Sequence, residues 1–197
     1  GDRKFEFPTF KIKEEQLTET FQDAISAINE LWQVHSPDIS NSIFELYEDS
    51  GLQMLPKHKH IPMFATGYSK QQMSWLKSNM DGLMFYPQPF QQQKTLLQEW
   101  HNNDTFKPFM HPLVVDLSNQ PNELVKPIKG GYRLGRNTLI KILKSYEKIG
   151  TNHIMLHLKS SDRSYKSLLT EIGDYVIPHF PPHLLQEEYK NDIIRQN

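Results

Sequence analysis

Cysteine is absent from the 197-residue chain. That excludes a disulfide scaffold, a cysteine-based zinc site and a catalytic thiol, and it points to a reducing compartment. An excess of charge of one sign is missing too. Lysine plus arginine number 22 against 23 for aspartate plus glutamate, a formal net charge of -1. Such a surface has no field to gather a polyanion, which disfavours a dedicated nucleic-acid binder. No apolar run approaches the roughly 18 residues that a membrane span needs. The opening Gly1-Asp2-Arg3-Lys4 has no apolar stretch behind it, so no signal peptide is read. The chain also opens without methionine, as a processed product or a piece of something longer would. No Walker lysine follows a glycine-rich turn, and no Gly-x-Ser-x-Gly occurs. A nucleoside-triphosphate P-loop is rejected and a serine-hydrolase elbow is disfavoured.

What is present is the makings of a core. Hydrophobic residues make up 37% and aromatics 11%, enough for a folded domain rather than a disordered chain. Leu17, Phe21, Ala24, Ile25, Ile28, Leu31 and Trp32 recur at spacings of three and four, which predicts an amphipathic helix that Pro37 limits. Residues 38–60 read as a connection. Within it, Ile43 to Tyr47 and Leu52 to Leu55 flank the turn signal Glu48-Asp49-Ser50-Gly51 and predict a small hairpin.

From Ile61 onward, strands and helices alternate. Strands are predicted at Ile61 to Thr66, Leu83 to Tyr86, Phe109 to Leu117 and Ile154 to Leu158. Helices are predicted at Ser69 to Asn79, after Pro89, at Thr138 to Ile149 and at Tyr165 to Ile177. Ser69 with Gln72 fits a capping box, and Gly150 a C-terminal cap. Residues 118–136 read as a long polar loop. Alternation of this kind implies parallel strands joined by crossovers. An open doubly wound sheet accepts the pattern, and so does part of a (βα)8 barrel, which in full takes about 250 residues.

Two segments draw attention as sites. Thr66-Gly67-Tyr68-Ser69 lies between a strand and a helix, where backbone N–H groups, a hydroxyl and a glycine suit a phosphate. An ordinary turn capped by Ser69 fits the same residues. Gly130-Gly131-Tyr132-Arg133-Leu134-Gly135-Arg136-Asn137 ends the long loop, and Arg133 and Arg136 there could close over an anion. A solvated connection with Asn137 as helix cap is the other reading. His111 is either a core residue or a pocket residue, on the side of Phe109, Leu113 and Val115. Asp116 and Asp162 stand near strand carboxyl ends but also suit turns. His153 and His157 share a strand face at roughly 13 Å, which does not suit one metal ion. His58 and His60 have no acidic neighbour in the sequence, and no metal site is read.

Order and spacing then point to one family. The chain resembles the C-terminal part of the bacterial-luciferase-like, flavin-dependent oxidoreductases. Gly1-Asp2-Arg3 with Phe7-Pro8-x-Phe10 resembles the segment after the fourth barrel strand. Ile61-Pro62 through Thr66-Gly67-x-Ser69, Asp81-Gly82 and Tyr86-Pro87 resemble the fifth and sixth units. Phe106-Lys107-Pro108-Phe109 resembles the approach to strand seven, and Gly131 to Asn137 a distinctive stretch after it. Gly150-x-Asn152-His153 and Val176-Ile177-Pro178-His179-Phe180 resemble the eighth unit.

The resemblance implies a fold: an α/β partial (βα)8 TIM barrel, with about four C-terminal units after a helix and a hairpin excursion. Residues 1–181 would form one luciferase-like domain and 182–197 a tail. It implies an FMN-dependent monooxygenase, cytoplasmic and bacterial, using reduced flavin from a reductase and oxygen on a small-molecule substrate. Thr66, Gly67, Tyr68 and Ser69 would hold the flavin phosphate. Residues 119–136 would match a mobile lid, with Arg133, Arg136 and His111 facing flavin or substrate. Family members often carry a small hydroxyl residue where Tyr68 stands. The first four strands are missing, so a homo-oligomer or pairing with an N-terminal half is expected, since half a barrel leaves edges and lumen open. The alternatives are a non-catalytic flavin-binding or interaction protein derived from the barrel, and an independent open-sheet module that binds an anion without selecting flavin.

Overall fold

The computed structural model describes residues 4–11, 13–42, 45–47, 50–102 and 105–181. The expected tail, 182–197, lies outside them. The chain divides into two compact units, 1–111 with 149–154, and 112–148 with 155–197.

The first unit opens with helix α1, Leu17–Leu31, placed where the apolar spacing puts it. Its apolar face is only half buried. Ala27 is fully enclosed, while Ile28 is exposed. The hairpin expected over 43–55 is not found. Residues 43–44 and 48–49 lie outside the described set, residues 52–55 carry no strand, and the bridge here pairs Ser40 with Glu45.

Strand β1 is Phe64–Thr66, helix α2 Met73–Asn79, strand β2 Gly82–Met84 and helix α3 Phe90–His101. β1 pairs with β2 in parallel, Ala65 opposite Leu83, and Leu83 in turn lies opposite Phe109 at the start of strand β3, Phe109–Leu117. The core of this unit gathers Ala65, Met73, Leu76, Met80, Leu83, Leu96, Leu97, Trp100 and Phe109. Two polar devices pin it. Asn152 accepts the Phe109 N–H on its side-chain oxygen and donates its own N–H to the Phe109 carbonyl. Gln93, fully buried, takes the Gln88 N–H and gives its amide to Thr151, so a buried polar group keeps its partners.

In the second unit β3 alternates strictly, with Leu113, Val115 and Leu117 buried and the residues between them half-buried. The long polar loop is the main correction. It contains strands β4, Lys126–Ile128, and β5, Gly131–Leu134, which form an antiparallel hairpin whose second strand runs parallel to β3. Polar residues hid it, because a hairpin flanked by proline and glycine shows no apolar run. Gly131 is required where it stands, since a Cβ there would lie 1.8 Å from the Val114 carbonyl oxygen. Helix α4, Arg136–Lys148, strand β6, His153–His157, and helix α5, Tyr165–Tyr175, follow in the expected order. β6 pairs with β3. Ser164 caps α5 by accepting the Ser167 N–H.

Candidate functional site

The turn after β1 is built by backbone conformation. Gly67, Ser69 and Lys70 all have positive φ, at 65°, 49° and 60°. Left-handed residues cannot open a right-handed helix, so α2 begins only at Met73, with Gln72 before it and no side-chain cap. This corrects the capping box expected of Ser69. The Ser69 hydroxyl instead donates to the Thr66 carbonyl at 3.3 Å. The Gly67 N–H donates to the Met84 carbonyl at 2.7 Å, and the Gln71 N–H to the Tyr68 carbonyl at 2.8 Å. Tyr68 is half-exposed and meets Phe85 edge-on at 5.0 Å. Thr66 is exposed. The turn therefore stands at the carboxyl end of parallel strands, where ligands sit in such sheets. Lys70 was not singled out in the sequence. Its left-handed backbone has no signal there, but it sets a cation beside the turn.

His111 is fully buried on the face of Phe109, whose ring lies 6.4 Å away.

Arg133 and Arg136 hold different carboxylates. Arg133 lies opposite Asp116 in the β3–β5 register and donates to it at 2.7 Å, and to Glu123 at 3.3 Å. The hydrogen bond and charge of Asp116 push the guanidinium pKa up. Hydrogen bonds from Ser118 and Lys126, outweighing burial and helped by the charges of Lys126 and Arg133, hold Glu123 at about 2. Arg136 donates to Glu171 at 2.9 Å and lies 4.3 Å over the Tyr175 ring. Asp116 was noted in the sequence for its position; Glu123 and Glu171 were not, since a carboxylate 10 or 35 residues from its arginine has no local pattern.

The segment expected as a lid is closely tied. Gly135 donates to the Glu123 carbonyl, Asn137 to the Pro121 carbonyl, and the Thr138 hydroxyl to the Glu123 carbonyl. Glu123 stands between these bonds and Arg133, so its ionisation should govern the hairpin. Its folded pKa lies below its ordinary value of 4.5. Its contribution is therefore complete above that value and lost as pH falls towards about 2. Amide exchange at residues 131–134, corrected for intrinsic rate, is expected to quicken between pH 5 and pH 3, values on the two sides of an ordinary carboxylate titration. Glu123→Gln should raise exchange at the higher pH and flatten the profile.

His60 lies 3.0 Å from Asp81, correcting the reading that it lacks an acidic partner. Asp81 also takes the Met63 N–H at 2.7 Å and so fastens the approach to β1. Among the described residues no group of three or more His, Asp or Glu is placed to hold a metal ion. Nor is any helix among them long and apolar enough to cross a membrane.

No protein-family model matches the chain, and no curated protein matches its sequence. Solved structures do. Monooxygenase RslO1 from Streptomyces bottropensis matches with a TM-score of 0.68 at 13% identity, over 90% of this chain and 66% of its own. An F420-dependent secondary alcohol dehydrogenase, in complex with an F420-acetone adduct, matches at 0.63 and 12% identity, over 81% and 60%. DmoA from Hyphomicrobium sulfonivorans matches at 0.62 and 10% identity, over 85% and 56%. The chain thus spans 56 to 66% of the length of these solved chains. Strand–helix order, parallel pairing and these superpositions agree: the chain shares the fold of these solved chains over about 56 to 66% of their length, a partial TIM barrel.

Proposed function

We propose that this chain is the C-terminal half of a luciferase-like, FMN-dependent monooxygenase and that Thr66, Gly67, Tyr68 and Ser69 hold the flavin phosphate. The observation that carries the reading is the left-handed turn at the carboxyl end of β1, in a fold shared with a monooxygenase and an F420-dependent dehydrogenase. The residues fit a phosphate. A Cβ built on Gly67 meets nothing within 4 Å, so the space beside it is open. Exposed Thr66 offers a hydroxyl and exposed Lys70 a charge. The 3.3 Å bond of Ser69 is long and can be given up to an anion. The Gly67 N–H is already committed to Met84 and is left out of the donor set.

Reduced flavin, delivered by a reductase, supplies the electrons for oxygen chemistry when bound. The chain's part is to bind, orient and exclude water. Arg133 and Arg136 meet flavin or substrate only with the donors that their carboxylates leave unused. The rest of the barrel comes from a preceding segment or from another chain, a second copy included. Among the described residues β1 pairs only with β2, and its outer edge is the place for that complement. On this reading the protein is bacterial and cytoplasmic. The second reading is a flavin-binding protein without turnover, favoured by the engagement of Arg133 and Arg136 with Asp116 and Glu171.

Flavin fluorescence during an FMN titration tests the site. Micromolar, saturable binding is expected. Riboflavin, which lacks the phosphate, should bind at least about tenfold more weakly, a difference of ~1.4 kcal/mol. Thr66→Ala combined with Ser69→Ala should erase that difference. Equal binding of FMN and riboflavin by the unaltered chain would reject the phosphate site. Product-linked oxygen use with a reductase, reduced FMN and an aldehyde separates the enzyme from the binding protein.

A further inference from the structure

Helices α1 and α2 enclose a feature that flavin chemistry does not use. Two clefts of about 460 Å³ and about 620 Å³ share Gln22, Trp75 and Asn79 in their walls and so form one groove. The lining is dominated by side-chain amides and hydroxyls around a single indole.

Hydrogen bonds and a ring contact tie the groove's walls. Gln71, only 6% exposed, gives its amide to the carbonyls of Thr18 and Ser69 and takes the Gln22 amide at 2.7 Å. Gln22 is thereby held with an acceptor and a donor to spare. Trp75 is set by an edge-on contact with Phe21 at 5.8 Å and packs on the core. Asn29 and Gln72 line the groove, and their side-chain amides make no hydrogen bond among the described residues. An indole in the wall with ready amides around it suits a ligand that is apolar on its faces and hydroxylated at its edges. Charge narrows the class further. Asp23 and Glu30 line one end of the groove and hold serines, Ser42 and Ser26, while Lys70 lines the other, so the wall carries both signs and favours a neutral ligand over an anion.

We infer that this groove binds a neutral polyhydroxylated ligand, a sugar or short oligosaccharide, with a pyranose face on Trp75 and its hydroxyls on Gln22, Asn29 and Gln72. The ligand contacts assigned here, Trp75, Gln22, Asn29 and Gln72, are none of the residues Thr66 to Ser69 proposed for the flavin phosphate, although Lys70 borders both.

Titration of the full chain with cellobiose, followed by the tryptophan indole resonances in NMR, tests it. The Trp75 signal should shift saturably with a dissociation constant on the order of 1 mM. The Trp100 signal should stay, because that indole is 1% exposed and bonded to the Lys107 carbonyl. Trp75→Ala should abolish the binding. Because that change also touches the core, Asn29→Ala and Gln72→Ala serve as the second pair. Neither side chain makes a hydrogen bond among the described residues, and each should weaken cellobiose binding at least about threefold while leaving FMN binding unchanged. No saturable shift up to about 50 mM, or binding indifferent to both amide variants, would overturn the assignment. FMN affinity is read separately, so failure of one proposal is distinguishable from failure of the other.

Discussion

Replacing Trp100 by alanine should lower the unfolding free energy by about 3–5 kcal/mol, most of the margin of an ordinary domain. Trp100 is 1% exposed in the centre of the first unit's core, between α3 and its surroundings. The cost has two parts. One is the lost apolar burial with the cavity left behind. The other is a broken chain of polar anchors. The indole N–H donates to the Lys107 carbonyl at 2.9 Å. The Lys107 ammonium in turn binds the carbonyls of Lys77 and Met80, where α2 ends and the chain leaves it. Trp100→Phe keeps most of the volume and loses only the hydrogen bond, so it should cost about 1–2 kcal/mol. Urea unfolding followed by circular dichroism measures both. Equal costs for the two variants would mean that volume is not what the core needs at this point.

Trp100 also shows what the sequence could disclose. Its place on the apolar face of a helix after Pro89 followed from spacing alone, as did α1, α4 and the nine-residue β3. Periodicity reports which side of an element is buried, and these elements are long enough to display a period. The short ones were harder. β1 and β2 have three residues each, and only their apolar content and flanking turns marked them. β4 and β5 gave no such sign. Apart from the buried Leu134 they are partly or fully exposed, carry proline or glycine, and owe their existence to β3 and to Arg133 pairing with Asp116 across the sheet. Tertiary context made strands of residues whose own preference reads as loop.

The candidate site divided in the same way. That Thr66 to Ser69 would form the turn between a strand and a helix was legible from order. The conformation of the turn was not. Ser69 at φ 49° and Lys70 at φ 60° are non-glycine residues in a region that side chains seldom visit, and no local pattern announces them. The arginines were legible as residue types and hidden in their roles. Guanidinium groups near a strand's carboxyl end look available for an anion, yet here internal carboxylates take them first.

The strongest of those pairings gives the second large effect. Glu171→Ala should cost about 3–5 kcal/mol, since it strips the shared partner from two partly enclosed guanidinium groups. Glu171 is 12% exposed, Arg163 15% and Arg136 26%. Its two oxygens take Arg136 at 2.9 Å and Arg163 at 2.6 Å. Arg163 also donates to the Ser118 carbonyl and the Ser167 hydroxyl, so one carboxylate ties α5 to the start of α4 and the end of β3. Burial raises the Glu171 pKa, but the hydrogen bonds and charges of Arg136 and Arg163 outweigh it and hold the carboxyl below its ordinary range. The contribution is therefore complete above an ordinary carboxylate pKa and disappears as pH falls through the lowered value. Glu171→Gln separates shape from charge. The amide can accept from one arginine only and turns its NH2 towards the other, so it should lose nearly as much at pH 7 as alanine does. At low pH, where the native carboxyl is itself protonated, the gap between native and glutamine chains should close. Unfolding free energies of the three proteins at both pH values decide it. A glutamine variant as stable as the native chain at pH 7 would show that the arginines need an acceptor and not a charge.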